Sequence, residues 1–205
     1  MSEPRIEFSG LKGRFFAWFL TSPLRHVLEW RMGAPESRLL ELLALEGDEV
    51  VVDAGCGSGF HSLLVAERLR SGKVLAFDVS DEMLARLRRN ASRRDLATKI
   101  DARLGDALSL PLEDGCADRA VTVAVWHHMD DPPGACVELT RVLRPGGRLV
   151  AVDLEITAHG RHGGHVGGHH RAFGEADMLR ILEEAGLRDR RVEKIGRWVI
   201  GSAIK

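Results

Sequence analysis

Asp53, Gly55, Gly57 and Gly59 stand in VVDAGCGSGF, where an apolar run meets glycines at alternate positions before an amphipathic stretch begins. Residues without side chains let the backbone approach a ligand closely, and free N–H groups at the start of a following helix suit an anionic end such as a carboxylate. The same pattern also serves as a tight strand-to-helix turn with no ligand. Asp78 ends the next apolar run, KVLAFDVS. Its distance from the glycines is close to the ~20-residue offset at which an acid meets a ribose diol in nucleotide-binding α/β folds. Asp106 ends the run after that, in LGDAL, where a carboxylate can accept from an exocyclic adenine amine. Singly, each Asp fits a solvated loop or a helix cap equally well. Three run ends presenting Asp or Gly to one crevice point jointly to a bound nucleoside.

Histidine supplies the other candidate chemistry. His127 and His128 lie just past the fourth apolar run, where an imidazole could remove a proton from a substrate or simply satisfy loop hydrogen bonds. Asp130 and Asp131 suit a helix start better than a base. Further on, HGRHGGHVGGHHRAF places His159, His162, His165, His169 and His170 among glycines with no helical or strand period. Three readings stand: a lid carrying imidazoles to a ligand pocket, with His169 and His170 the preferred contacts; a solvated glycine-rich loop; or a metal site, since neutral imidazole ligates Zn. No Cys lies in that segment, and no metal is assigned.

The elements that must position these residues follow from an alternation of short apolar runs with helix-length amphipathic ones, the signature of βαβ units and a parallel sheet. The runs at 49–53, 73–78, 100–105, 119–125 and 148–153 read as strands buried on both faces. Between them, 62–70, 81–93 and 133–143 read as crossover helices; Met83, Leu84 and Leu87 oppose Arg86, Arg88 and Arg89, and Ser80–Asp81 supplies a start signal. A helix over 175–185 ends at Gly186, and strands at 187–192 and 198–204 with a turn at Gly196 make an antiparallel hairpin closing the sheet. Ahead of the first strand come a helical lead-in over 13–30 and a helix from about Pro35. The expected division is a lead-in or lid, residues 1–48, and one α/β domain, residues 49–205.

Length and charge narrow the function. The 205 residues allow one domain of ordinary size with a sizeable core and no second catalytic domain. Lys and Arg total 29 against 30 Asp and Glu, so no global field recruits nucleic acid or an anionic membrane. Cys56, Cys116 and Cys136 are odd in number and form no CxxC pair, which suits a reducing, cytoplasmic setting. The apolar stretch from Phe15 to Leu20 is flanked by Lys12, Arg14, Pro23 and Arg25 and falls well short of the ~20 residues of a bilayer span, so no stable membrane insertion is expected. Phe15, Phe16, Trp18 and Phe19 there suit an apolar lid, core or an oligomer contact.

Five segments, VVDAGCGSGF, VLAFDVSDEML, GDALSLPLEDGCADRAV, VWHHMDDP and RVLRPGGRLVAVD, occur in an order that resembles the class I S-adenosylmethionine-dependent methyltransferases, especially the small ones grouped with the quinone-biosynthesis type. They cover about half the chain, and the ordered set is far more specific than the glycine motif alone. The resemblance implies a Rossmann-like, seven-stranded, mostly parallel sheet with an antiparallel C-terminal strand and helices on both faces. It implies S-adenosylmethionine as cofactor and S-adenosylhomocysteine as product. Carried onto this sequence, Asp53, Gly55, Gly57 and Gly59 would surround the methionine part, and Asp78 would take the ribose hydroxyls. Val79 and Met83 would pack on the adenine, with Asp106 and Ala107 at its edge and Trp126 just after the fourth strand. RPGG, from Arg144 to Gly147, would be the turn launching the fifth. His127 or His128 would lie near the transferred methyl. The partner implied is a small-molecule acceptor, with self-association left open. Two alternatives remain at this level: a methyltransferase-like module that binds without turnover, and an NAD-dependent oxidoreductase. Phe60, where a dinucleotide fingerprint wants Gly or Ala, argues against the second.

Overall fold

In the computed structural model, which describes residues 35–156 and 173–205, seven strands form one sheet in the order β3-β2-β1-β4-β5-β7-β6. The strands are β1 (Val50–Ala54), β2 (Lys73–Asp78), β3 (Ile100–Leu104), β4 (Ala117–Val123), β5 (Leu143–Leu154), β6 (Arg188–Ile195) and β7 (Trp198–Ile204). The helices are α1 (Glu36–Leu43), α2 (Phe60–Ala66), α3 (Asp81–Arg93), α4 (Pro132–Val142) and α5 (Glu175–Glu184), with a 3-10 turn at Trp126–His128. The first five strands pair in parallel, and β7 runs antiparallel between β5 and β6. The expected seven-stranded α/β sheet with its C-terminal hairpin is therefore present. The lead-in over 13–30 and the five histidines from His159 to His170 lie outside the described residues.

Strand order places the site. The chain leaves β1 outward to β2 and β3, then crosses back to lay β4 against the other side of β1. The turns that follow β1 and β4 therefore diverge in opposite directions and leave a crevice at their carboxyl ends, where ligands bind in open α/β sheets.

Alternate residues of the strands feed two separate cores. Val51, Val74, Val121 and Val150 pack with Leu39, Leu63 and Leu87 on one face. Val52, Phe77, Ala120 and Leu149 pack with Leu139 and Met178 on the other. Because Leu39 and Leu43 are fully buried, α1, which the sequence reading put in the lead-in, forms part of the first core. Its terminal carbonyls, orphaned as in any helix, accept from Arg119 on β4 (Nε to Leu43 O, 2.6 Å; Nη2 to Ala44 O, 3.0 Å) and from Arg148 on β5 (3.2 Å to Leu42 O).

Three expectations are corrected. β3 is not buried on both faces: it is the sheet's edge, and its residues grade from half-buried to exposed. α2 spans Phe60–Ala66 rather than 62–70, because Gly47 O takes the N–H groups of Arg70, Ser71 and Gly72 (2.6, 3.0 and 3.1 Å) and turns the chain into β2. RPGG is not a turn before β5 but an irregularity inside it: Ala117 pairs with Leu143 and Arg119 with Arg148, while Gly146 N and Gly147 O bond to Lys205 at the end of β7.

Candidate cofactor and active site

The glycine turn after β1 divides into a packed side and an open one. A Cβ on Gly55 would sit 2.4 Å from Val125 Cγ2, and one on Gly59 would sit 2.0 Å from Leu87 Cδ1, so both glycines exist for close packing. A Cβ on Gly57 would meet nothing within 4 Å. The approach to the backbone that the sequence suggested is therefore available at Gly57. Gly55 N and Cys56 N both donate to Phe77 O (2.8 and 2.9 Å), tying the turn to the end of β2.

Two carboxyl groups lie at the supports of this turn: Asp53 on the strand before it and Asp78 at the strand tip beside it. Asp53, on β1, is 2 % exposed and accepts from Ser62 Oγ on α2 (2.5 Å). Burial, together with the charge of Asp78, pushes its pKa up to about 7 against the lowering by Ser62. Asp78, at the tip of β2, accepts from Gly57 N (2.8 Å, Oδ2) and Ser80 N (2.9 Å, Oδ1), and burial raises it despite these donors. Each oxygen of a carboxylate has two acceptor sites, so Asp78 can hold its own turn and still accept from a diol. Two neighbouring acids raised by burial form a place short of positive charge and hydrogen-bond donors. An ammonium group and sugar hydroxyls supply both, so these residues fit an adenosyl amino acid.

The next stretch along the sheet edge is apolar and open. Val79 is 66 % exposed, and Leu104, which pairs with Asp78 across β2–β3, is 55 % exposed. Met83 is buried on α3, and Ala107 is half-buried. Leu104 carried no signal in the sequence beyond ending its strand. Asp106 is exposed, and its Oδ1 accepts from Leu108 N (3.0 Å), so it braces its own loop. Trp126, in contrast, is buried in the second core with Phe77 and Leu110.

His127 meets an acid that the sequence reading did not assign to the site. Its Nδ1 lies 2.5 Å from Oδ1 of Asp153 on β5, and its backbone N–H donates to Asp153 Oδ2 (3.1 Å). Leu154 N also donates to Oδ1 (2.7 Å), and Asp153 is 1 % exposed. The His128 ring packs on His127 with centroids 3.8 Å apart. Val125, just before this turn, is the residue packed against Gly55, so the histidine turn abuts the glycine turn. Asp131 caps α4 by accepting from Gly134 N (2.9 Å), as its place before a helix suggests. A third acid ending a buried strand was the available clue to Asp153; Ser62 had none. Among the described residues, no group of three or more His, Cys, Asp or Glu is placed to hold a metal.

Residues 52–151, which span all of this geometry, match a family model described as a methyltransferase domain. Residues 52–151 are therefore a methyltransferase domain of the class I, S-adenosylmethionine-dependent kind. S-adenosylmethionine is the cofactor of this family, and the oxidoreductase alternative is set aside. The methyltransferase domain is 36 % identical over 138 residues to a demethylmenaquinone methyltransferase of Thermus thermophilus, covering 66 % of this chain and 59 % of that protein. It is 32 % identical over 116 residues to an arsenite methyltransferase of Halobacterium salinarum, covering 56 % and 29 %. The chain thus spans less than two thirds of the length of these relatives. Its fold matches the crystal structure of an S-adenosylmethionine-dependent methyltransferase from Aquifex aeolicus with a TM-score of 0.77 at 24 % identity, over 93 % of this chain and 97 % of that one. No helix among the described residues is long and apolar enough to cross a membrane.

Proposed function

We propose that this protein transfers a methyl group from S-adenosylmethionine to a small-molecule acceptor. The observation that carries this reading is the open backbone at Gly57, whose N–H is held by the half-buried Asp78 and which follows the buried Asp53 of β1, inside a methyltransferase domain. Asp53 and the Gly55–Gly57–Gly59 turn take the methionine part and Asp78 the ribose hydroxyls. Val79 and Met83 line the adenine, Asp106 and Ala107 lie at its edge, and Trp126 backs the pocket from the core. His127, His128, His169 and His170 are the candidate contacts to the acceptor. The cofactor supplies a methyl on a sulfonium whose sulfur is already a good leaving group, so the protein's main task is to align acceptor and methyl for in-line displacement. A covalent nucleophile is unnecessary, and burial pushes the Cys56 thiol up, far from thiolate reactivity. Three free cysteines fit a cytoplasmic location.

Calorimetric titration with S-adenosylhomocysteine tests the site. Asp78→Ala removes a charge-assisted acceptor and is expected to weaken binding by about 1.5–3 kcal/mol with the fold intact. Unchanged affinity would reject the placement of the ribose, and absence of binding by the native protein would favour a module without this chemistry. Transfer of a labelled methyl to a panel containing a reduced naphthoquinone and arsenite, chosen from the relatives' acceptors, then defines the acceptor class.

A further inference from the structure

We propose that Ser62 is a positioning residue for the cofactor: its hydroxyl holds one oxygen of Asp53 and leaves the other, ionised, to receive the ammonium group of the methionine end. The inference rests on the methyl-transfer reading and deepens it, because binding of that end then expels a proton from Asp53 to solvent.

One hydrogen bond closes the glycine turn. Asp53 lies on β1 and Ser62 in the first turn of α2, with Gly55, Gly57 and Gly59 between them. Ser62 is fully buried, and its Oγ donates to Asp53 Oδ2 (2.5 Å). A helical serine can turn its hydroxyl back to the carbonyl four residues earlier. Here that carbonyl, Ser58 O, receives Asn90 Nδ2 (3.2 Å), and the hydroxyl goes to the acid. The other oxygen of Asp53, Oδ1, has no donor among the described residues. Of those residues, the polar side-chain atoms both unpaired and sealed from solvent are Arg86 Nε and Trp198 Nε1. Asp53 Oδ1, unpaired and not one of them, therefore borders open space. Gly57, where a Cβ would meet nothing within 4 Å, lies in the same closed loop.

A buried carboxylate with a single donor is an unfavourable ion. Burial and the charge of Asp78 on β2 push Asp53 up to about 7, and the Ser62 hydroxyl is the group that opposes them. Cys56, in the turn, has its thiol pushed up by burial and by both acids, so it adds no negative charge. The remaining titratable groups on the surrounding elements are His61 on α2, Arg88 on α3 and His127 in the turn after β4, while β4 itself sets Val121 beside Asp53. An ammonium group brings the positive charge and the donors that Asp53 lacks. The ionised acid and the ammonium therefore bind together, and the carboxyl proton leaves. Ser62 favours this state twice, by stabilising the ionised form and by occupying Oδ2 so that Oδ1 is the oxygen left on the open side.

Calorimetric titrations from about pH 5 to 8 with two ligands test the proposal: S-adenosylhomocysteine, and 5′-methylthioadenosine, which keeps sugar and base but has no ammonium group. Relative to methylthioadenosine, the affinity of the native protein for S-adenosylhomocysteine should rise about tenfold per pH unit up to about pH 7 and then level off. Buffers of different ionisation enthalpy at about pH 6 should show about one more proton released with S-adenosylhomocysteine than with methylthioadenosine. Ser62→Ala should move the levelling point to higher pH and lower S-adenosylhomocysteine affinity at about pH 6 by about tenfold or more, with methylthioadenosine affinity within twofold. Asp53→Asn should abolish the difference in pH dependence between the ligands. A serine that only supports the fold would weaken both ligands alike. That result, or a Ser62→Ala profile levelling off where the native one does, overturns the proposal. Should Ser62→Ala fail to fold, Ser62→Cys, of nearly the same shape and a much weaker donor, takes its place with the same expected direction. Native binding of both ligands with one shared pH dependence sinks this inference alone, whereas binding of neither ligand at any pH sinks the methyl-transfer reading and this inference with it.

Discussion

Neighbouring glycines in one motif carry different duties, and substitution separates them. Gly59 has a φ of +88° and abuts Leu87, so Gly59→Ala combines left-handed strain with overpacking. It is expected to cost about 2–4 kcal/mol in a urea titration. Gly57, at φ +52° with open space beyond it, should cost only about 1 kcal/mol as Ala. That same Gly57→Ala should weaken S-adenosylhomocysteine binding roughly tenfold or more in calorimetry, because the new methyl fills the approach to the backbone. Equal effects of the two substitutions on stability would contradict this division. Asp53 gives a pH signature of unusual sign. Its folded pKa of about 7 lies above that of the unfolded chain, so between about pH 4 and 7 the folded state holds a proton that the unfolded one has released. Stability of the ligand-free protein should therefore fall as pH rises through that window and level off above it, with Asp78, also raised, adding in the same direction. Asp53→Asn should flatten most of the slope in urea midpoints measured across the range.

At the level of elements, caps and anchors explain which boundaries were readable. Ser80 Oγ accepts from Met83 N at the start of α3, and Asp131 caps α4 ahead of Pro132, so both starts are written in local residues. The end of α2 is not, because a carbonyl of Gly47, far behind it in the chain, decides where it stops. The role of α1 was hidden for the same reason: its anchors, Arg119 and Arg148, come from strands more than 70 residues later. Since Leu39 is fully buried, Leu39→Ala should cost about 2–5 kcal/mol and shift the urea midpoint of the whole transition with an unchanged slope. A detachable cover would leave that midpoint where it is.

For the molecule as a whole, one sheet with two cores should unfold as a unit that ligand binding stabilises. S-adenosylhomocysteine at 100 times its Kd contributes about 2.7 kcal/mol, which for a domain of this size raises Tm by roughly 5–10 °C. Scanning calorimetry should show that rise as a single transition, and Asp78→Ala should reduce it at the same ligand concentration. Two exposed strands, β3 and β6, border the sheet. Their charged residues, Asp101 and Arg103 on one and Arg188 to Arg191 on the other, are of the kind that discourage edge-to-edge pairing.

The parallel sheet, its closing hairpin, the glycine turn and the acids at its strand tips were determined by local pattern, because apolar period, turn residues and strand-end chemistry are properties of neighbours in sequence. Which glycine faces open space, that Leu104 borders Asp78, and that Asp153 meets His127 across 26 positions were decided only by tertiary structure. Those relations depend on strand order and register, and on the jump from β3 back to β4 that brings distant tips to one crevice.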